Sequence, residues 1–247
     1  MSLDISSSGF FYVPIDDFPV DQLIMLAKKY FESRNKNIID KESGLGFMPL
    51  TFGKINKNQI EYRESFSYRP NMKNFEYDKQ FETFFYSLRN KADKIFQEVI
   101  ESLGLDIENY RGAMSFSTLN ISHYPYHDQT RCGIAEHSDW GLLTLLFTDN
   151  IGLQIYTNNE WFDVPNIPNH FIVNIGDMLE IISNGRYKST KHRVITTKEK
   201  YSIIFFYEPK LDFLVKPHVS SDNYPEVIFK DYFKSKLDDT YQTKFKL

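Results

Sequence analysis

Two histidines and one aspartate combine the residue types and the spacing of a metal site. His137 and Asp139 stand in the stretch A-E-H-S-D-W-G, and His192 stands much later, in K-S-T-K-H-R-V. Side chains two residues apart in a β-strand point to the same face, so His137 and Asp139 can reach one ion while Ser138 points away. Two imidazoles and one carboxylate leave three positions of octahedral Fe(II) open, which suits the binding of a co-substrate and O2. The pattern therefore predicts a mononuclear iron site, with His192 arriving from elsewhere in the fold.

Histidines also have ordinary structural roles, and an isolated H-x-D pair is common. A closed tetrahedral zinc site would need four ligands, often cysteines, and Cys132 is the only cysteine in the chain. His123 and His127 stand four residues apart, but Pro125 lies between them and argues against a helix that would present both to one ion. The iron prediction therefore depends on the sequence that surrounds the three proposed ligands.

The composition indicates a folded protein without the charge pattern of a chain that binds nucleic acid or membranes. Hydrophobic residues make up 41% of the 247 residues and aromatic residues 16%, which is ample for a large core. The formal net charge is -4, so no basic excess points to nucleic acid or to an anionic membrane. The single cysteine excludes an internal disulfide, the N-terminus lacks the pattern of a signal peptide, and no apolar run is long enough for a membrane span. We therefore predict a cytoplasmic protein with a single domain over residues 1–247.

Periodicity divides this domain into three parts. Residues 1–112 form a helical and irregular part, with a strand at 10–15, helices at 20–33 and 78–104, and a polar segment at 35–74 that includes a strand at 61–68. We expect this polar segment to form one wall of the substrate mouth. Residues 210–247 end the chain with a helix at 225–237. Residues 113–209 carry short strands separated by turn signals, typical of a β-sandwich or jelly roll, and the candidates are 115–123, 142–148, 152–156, 161–164, 171–175, 179–182, 191–196 and 201–207.

The order of the motifs is similar to that of a known family. H-S-D-W-G-L-L-T-L-L is followed by G-L-Q-I-Y, W-F-D-V-P, N-I-G-D-M-L-E, K-S-T-K-H-R-V and K-Y-S-I-I-F-F-Y-E-P. This series resembles the Fe(II)/2-oxoglutarate-dependent dioxygenases of the isopenicillin N synthase-like family, over nearly the whole chain from about Gly9. Family members usually carry an I-P-V-I-D-like strand before this point, so the resemblance predicts a shortened N-terminal part. It implies a mainly β fold with flanking helices around a double-stranded β-helix core, which is a cupin-like jelly roll.

The resemblance also implies which residues bind 2-oxoglutarate as co-substrate. In the family its distal carboxylate is held by an Arg-x-Ser pair on a late strand and by the tyrosine of an earlier Y-P motif. The matching residues here are Lys200, Ser202 and Tyr124, and Lys200 departs from the arginine that is usual in the family. Lysine supplies a point charge instead of a bidentate fork. Lys198 is a competing cation on the same strand face, and a solvated hairpin position is the alternative reading of Lys200.

The cofactors implied by the resemblance are Fe(II), 2-oxoglutarate and O2. The implied reaction hydroxylates or desaturates a small-molecule substrate and releases succinate and CO2. Phe206 matches a position where the family often places an aromatic side chain against the substrate, with core packing as the alternative. Asp177 is predicted to be a turn residue, and Arg193 to make structural contacts.

Two alternative functions follow from the same scaffold. Isopenicillin N synthase itself and the plant ethylene-forming oxidase share it and use no 2-oxoglutarate, and the lysine at position 200 keeps such an iron-dependent oxidase open. A non-catalytic binding protein is the other alternative, although a complete set of three ligands argues against it. The sequence carries no signal for a particular substrate or for an oligomeric state.

Overall fold

The computed structural model describes residues 8–33, 36, 39–40, 43–52, 59–72, 75–110, 112–114, 116–219 and 223–241, with 239–241 described by their backbone alone. In chain order the strands are β1 (Phe10–Pro14), β2 (Gly46–Met48), β3 (Glu64–Tyr68), β4 (Thr118–Tyr124), β5 (Arg131–His137), β6 (Leu143–Thr148), β7 (Leu153–Thr157), β8 (Glu160–Asp163), β9 (His170–Ile175), β10 (His192–Thr196), β11 (Lys200–Tyr207), β12 (Leu214–Val215) and β13 (Val227–Ile228). The α-helices are α1 (Val20–Glu32), α2 (Asp78–Ser102), α3 (Asp177–Ile182) and α4 (Phe229–Tyr241), and a 3-10 turn covers Ile107–Tyr110.

Two antiparallel sheets form the body of the fold. The larger sheet has seven strands in the order β1-β9-β6-β11-β4-β3-β2, and the smaller has four in the order β5-β10-β7-β8. From β4 to β11 the chain passes repeatedly from one sheet to the other, which winds it into a double-stranded β-helix. The predicted fold class, mainly β with flanking helices around this core, is therefore confirmed.

Apolar side chains cover both faces of the larger sheet, because neighbouring residues of a strand point to opposite faces. On the outer face, Phe205 of β11 packs edge-on against Phe85 of α2, with ring centroids 5.3 Å apart. On the inner face, Ile204 belongs to a second apolar cluster that fills the space between the sheets. Other members of this inner cluster are Tyr124, Ile134, Leu146, Leu153, Ile155, Val164, Ile172 and Val194.

The two long helices cover the outer face because each has one apolar stripe at helical spacing. In α1 the buried residues are Val20, Leu23, Ala27, Tyr30 and Phe31. In α2 they are Phe81, Phe85, Leu88, Ala92, Ile95, Phe96, Val99 and Ile100. None of the helices in the described ranges combines the length and the apolar character that crossing a bilayer requires.

The polar segment predicted at 35–74 contains β2 and β3, which extend the larger sheet at one edge. An aromatic cluster anchors it, because the Tyr30 ring of α1 lies 4.2 Å from the ring centroid of Phe66 and 5.8 Å from that of Phe75. Parts of the predicted segment, at 35, 37–38, 41–42, 53–58 and 73–74, lie outside the described residues.

One predicted strand is wrong. Residues 179–182 belong to α3, where Met178, Leu179, Ile181 and Ile182 are all buried. A short run that is apolar on every side has no period, so it cannot distinguish a buried strand from a buried helical turn. The sequence prediction also missed β5 and the β12–β13 pair. The β5 sequence R-C-G-I-A-E-H mixes polar, small and apolar residues without clear alternation.

Candidate metal centre

The three predicted ligands converge between the two sheets. His137 is the last residue of β5 and His192 is the first of β10, and the two are direct partners in the antiparallel pairing of these strands. Asp139 Oδ1 lies 4.0 Å from Nε2 of His137 and 3.7 Å from Nε2 of His192. One ligand atom from each residue lies within 4.8 Å of the other two, and no other group of three metal-ligating side chains occurs in the described part of the chain.

The geometry differs from the predicted one in one respect. Asp139 lies beyond the end of β5, so the alternation of a strand does not direct its side chain. Ser138 does point away as predicted, because its hydroxyl donates a hydrogen bond of 3.1 Å to Asp177. Asp139 is instead oriented by Asn174 of β9, whose Nδ2 donates to Asp139 Oδ2 over 3.1 Å. This bond occupies one carboxylate oxygen and leaves Oδ1 facing the two histidines.

Hydrogen bonds to the backbone fix the tautomer of both histidines. Nδ1 of His137 lies 2.8 Å from the carbonyl oxygen of Ala135, and Nδ1 of His192 lies 3.1 Å from that of Thr190. A carbonyl oxygen only accepts, so each Nδ1 carries the proton and each Nε2 keeps its lone pair for a metal. Burial, and then the neighbouring His192, lower the pKa of His137 to about 3, which keeps this imidazole neutral.

This donor set fits ferrous iron. Two neutral imidazoles and one carboxylate, oriented by second partners, are the ligands that leave half of an octahedral sphere open. The thiol of Cys132 does not join them, because burial raises its pKa to about 11 and keeps it protonated.

The three ligands line a cavity of about 180 Å³ between the sheets. Lys200, Ser202, Tyr124 and Phe206 line the same cavity, so every predicted site residue faces one space. Most of the remaining wall is apolar. Its apolar lining residues include Ile39, Leu45, Met48, Ile134, Trp140, Leu146, Leu153, Val194, Ile204, Phe233 and Leu237.

Lys200 is a buried cation and not a solvated hairpin charge. Its side chain is only 1% exposed, while Lys198 is exposed and does not line the cavity. Nζ donates to the carbonyl oxygen of Ile151 over 3.2 Å and lies 4.9 Å from the centre of the Tyr124 ring. Burial lowers the pKa of Lys200 to about 8. The alternative that Lys200 is a solvated hairpin residue is therefore wrong. The prediction that Lys198 shares the strand face of Lys200 is also wrong.

Ser202 and Tyr124 lie beside this ammonium group. Lys200 pairs with Tyr124 across β11 and β4, and Ser202 pairs with Ser122. Burial raises the pKa of Tyr124 to about 12, so its phenol stays protonated. The end of the cavity at Lys200 thus presents an ammonium and two hydroxyl groups, all of which can donate hydrogen bonds.

The sequence prediction missed a buried ion pair next to the centre. Arg63 Nε lies 3.2 Å from Oε2 of Glu61, and Arg63 Nη1 donates to Ser122 Oγ over 3.2 Å. Oε1 of Glu61 accepts a hydrogen bond from the backbone N–H of Ala135 over 3.1 Å, so the pair ties the segment before β3 to β5. The charged residues Glu61 and Arg63, placed next to Tyr62 at the start of the predicted strand E-Y-R-E-S-F-S-Y, were the available signal.

Two further charged residues were missed at the other end of the cavity. Arg69 and Glu208 both line it. Glu208 follows the last residue of β11, so an acidic residue directly after the run Y-S-I-I-F-F-Y was the available local signal.

Two other residues considered in the sequence analysis lie away from the metal centre. Arg193 has the structural role that was expected, since its guanidinium stacks 4.1 Å above Trp161 and donates to Gln154. His123 pairs with Glu64 and does not line the cavity.

Asp177 connects the segments that carry the metal ligands. Its carboxylate accepts hydrogen bonds from Ser138 (3.1 Å), Ser189 (2.6 Å) and Tyr232 (2.6 Å). Ser138 stands between two of the proposed ligands, Ser189 precedes β10, and Tyr232 belongs to α4. Asp177 is therefore more than the turn residue that the sequence predicts, because it holds both ligand segments and the last helix together.

We expect the Asp177→Asn variant to lose stability and metal affinity. An amide keeps one acceptor oxygen, so it cannot accept all three hydroxyl groups, and the free energy of unfolding should fall by about 1–3 kcal/mol. Because the ligand segments lose a common anchor, iron affinity should fall by about 10- to 100-fold. Urea unfolding and iron titration measure the two effects. Asp163→Asn, at an exposed carboxylate bonded to Gln154, is the control, and equal behaviour of both variants would contradict the assignment.

Comparison with known proteins agrees with this geometry. An open group of two histidines and one carboxylate inside a double-stranded β-helix is typical of mononuclear non-haem iron oxygenases. Residues 115–209 match the model of the 2OG-Fe(II) oxygenase superfamily, and the chain belongs to that superfamily.

The chain is also similar to named relatives. The chain is 35% identical over 192 residues to 1-aminocyclopropane-1-carboxylate oxidase 1 of Cucumis melo, covering 68% of this chain and 60% of the relative. It is 35% identical over 191 residues to 1-aminocyclopropane-1-carboxylate oxidase 3 of Arabidopsis thaliana, covering 71% of this chain and 59% of that relative. The chain thus spans about three fifths of the length of these relatives.

The structural likeness shows the fold. A full-length Neurospora crassa protein, solved in complex with alpha-KG, superposes with a TM-score of 0.79 at 20% identity, covering 93% of this chain and 86% of the other. JOX2 in complex with 2OG, Fe and JA superposes with a TM-score of 0.78 at 24% identity, covering 98% of this chain and 81% of the other.

Proposed function

We propose that this protein is an Fe(II)- and 2-oxoglutarate-dependent oxygenase that hydroxylates or desaturates a small molecule, with release of succinate and CO2. One observation carries the proposal. A three-ligand centre and a buried ammonium group with two hydroxyl neighbours line the same cavity.

Each end of a keto dicarboxylate has a partner in this arrangement. His137, Asp139 and His192 would hold Fe(II), whose open positions accept the keto acid end. Lys200, Ser202 and Tyr124 would hold the distal carboxylate. When bound, iron with the co-substrate supplies the activation of O2 that is coupled to oxidative decarboxylation. A buried ammonium group that has only one backbone carbonyl bond in the described structure has a strong preference for an anionic partner.

The cavity supports a small substrate. Its volume of about 180 Å³ limits the size of the molecule that can bind beside the co-substrate. Its mostly apolar wall suits a substrate with an apolar part. The Neurospora crassa protein and JOX2, which share this fold, were both solved in complex with the same co-substrate, under the names alpha-KG and 2OG.

A second candidate is an iron-dependent oxidase that does not use 2-oxoglutarate. The relatives at 35% identity are named 1-aminocyclopropane-1-carboxylate oxidases, which favours it. In this case Lys200 would bind a different anion or serve the structure alone.

Succinate formation tests the proposal and separates the two candidates. Purified protein loaded with Fe(II) is given 2-oxoglutarate and O2, and succinate is measured with and without each component. Succinate that requires all of them supports the proposal. An absorption band of the anaerobic iron–2-oxoglutarate chelate is expected in parallel. If the protein binds iron but gives neither the band nor succinate, the proposal fails and the result favours the oxidase candidate.

A further inference from the structure

The cavity has a second charged end, formed by Arg69, Thr118 and Glu208. All three line the cavity that holds the metal ligands. Lys200 is the first residue of β11 and Glu208 follows the last, and Ser202, Ile204 and Phe206, which also line the cavity, lie between them along the chain. The Arg69–Glu208 end is therefore separate from the end assigned to the co-substrate.

Glu208 is a buried carboxylate with too few partners. It is 5% exposed, and a single long hydrogen bond of 3.4 Å from Thr118 Oγ1 to Oε2 is its only side-chain bond among the described residues. Ordinary O–H···O bonds measure about 2.5–3.0 Å, so this contact satisfies the carboxylate poorly. Gly141 leaves room for the side chain, since a Cβ at position 141 would lie 2.8 Å from Glu208 Cγ. The backbone thus positions a carboxylate toward the cavity without filling its acceptor capacity.

Arg69 presents a partly used guanidinium to the same region. Its Nε and Nη2 both donate to Thr118 Oγ1, over 3.0 and 2.9 Å, and its guanidinium stacks 3.6 Å above the Phe116 ring. Arg69 and Glu208 form no direct ion pair in the described structure, because the Thr118 hydroxyl stands between them. A guanidinium group and a carboxyl group are therefore held side by side, each with capacity for a further partner.

We propose that the substrate is a small zwitterion whose ammonium group binds Glu208 and whose carboxylate binds Arg69. Buried charges are costly unless each has a partner, and a zwitterion supplies both partners at once. The cavity lining also includes the aromatic residues Trp140, Phe206 and Phe233, which suit an apolar side chain. This inference rests on the proposed function, because it assigns the substrate of the same site.

A panel of matched compounds tests the charge requirement. The iron-loaded protein with 2-oxoglutarate and O2 is given each of the twenty standard amino acids, their N-acetyl derivatives and their amides. Succinate formation above the level without added compound is measured. We expect stimulation by one or more free amino acids, and a response at least about 100-fold weaker when either charge is blocked. Equal stimulation by an N-acetyl derivative or an amide, or no response to any free amino acid, would overturn the inference.

Variants of Glu208 and Arg69 test whether these two residues bind the substrate. Glu208→Gln and Arg69→Gln should each lower the stimulation by the responsive amino acid at least about tenfold, through a higher KM. Glu160→Gln, at an exposed carboxylate on β8, should not change it. An undiminished response in Glu208→Gln would overturn the inference, and the wild-type panel tests it even if a variant does not fold.

The iron–2-oxoglutarate chelate band separates this inference from the proposed function. If the band and substrate-independent succinate form but no zwitterion stimulates turnover, the inference alone fails. If neither forms with the wild-type protein, the proposed function fails first.

Discussion

Replacing His137 or His192 with alanine is expected to abolish iron binding and 2-oxoglutarate turnover. Each histidine presents Nε2 toward Asp139 Oδ1, and each is held by a bond from Nδ1 to a backbone carbonyl. Loss of one imidazole leaves only two protein ligands, which do not hold a labile Fe(II) ion. Because loss of an outer partner alone costs about 10- to 100-fold in affinity, loss of a ligand should exceed about 100-fold. Iron content after dialysis and succinate formation measure the result.

His170 offers a matched control for this experiment. Its Nδ1 also bonds to a backbone carbonyl, that of Pro168 over 2.9 Å, but its ring does not line the cavity. His170→Ala should therefore retain iron and turnover near wild-type levels. Iron retention by His137→Ala and His192→Ala equal to that of His170→Ala would contradict the assignment of the centre.

The identity of the metal ligands could be predicted from the sequence, but their orientation could not. The motif order selected His137, Asp139 and His192, and the prediction that they share one space is consistent with their distances. The alternation of a strand was the wrong reason for Asp139, which lies past the end of β5. Asn174 on a distant strand orients its carboxylate, and no local pattern indicates that contact.

Local sequence could not predict which charged side chains are buried in the cavity. Lys198 and Lys200 both occur in the hairpin K-E-K, and only strand pairing selects which one enters the cavity. Gly152, next to Ile151 whose carbonyl oxygen accepts the Lys200 bond, is required by tertiary structure, because a Cβ there would lie 2.1 Å from the carbonyl oxygen of Ile195. Arg69 and Glu208 meet only through Thr118 on a third strand. Such contacts are set by tertiary structure, and a one-dimensional pattern does not contain them.

Removal of the buried ammonium is expected to weaken 2-oxoglutarate binding strongly. In Lys200→Ala the distal carboxylate would lose its only cationic partner in the proposed set, which costs about 2–5 kcal/mol for a buried charge pair. We therefore expect KM for 2-oxoglutarate to rise at least about 30-fold, with iron content unchanged. Lys198→Ala removes an exposed lysine from the same hairpin and should behave like the wild type. An unchanged KM in Lys200→Ala would contradict the assignment of Lys200 to the distal carboxylate.

Binding of 2-oxoglutarate should weaken as the pH rises above about 8. Burial lowers the pKa of Lys200 to about 8, so the free protein loses the charge as pH rises through this value. Both carboxylates of 2-oxoglutarate stay ionised there, so the apparent Kd should rise by up to about tenfold per pH unit above 8. Tyr124, with a pKa raised by burial to about 12, stays protonated in this window. Glu208, whose pKa burial raises to about 8, titrates in the same window but at the other end of the cavity.

Lys200→Arg separates these two titrations. Arginine stays charged throughout, so position 200 should no longer contribute to the pH dependence of Kd, while Glu208 still titrates. We expect the Kd of Lys200→Arg for 2-oxoglutarate to be nearly constant from about pH 7 to 9, because Glu208 does not contact the co-substrate in the proposed arrangement. Anaerobic titration of the chelate band measures Kd at each pH. A wild-type Kd that does not rise above pH 8, or one that rises equally in Lys200→Arg, would show that the Lys200 ammonium does not hold the co-substrate.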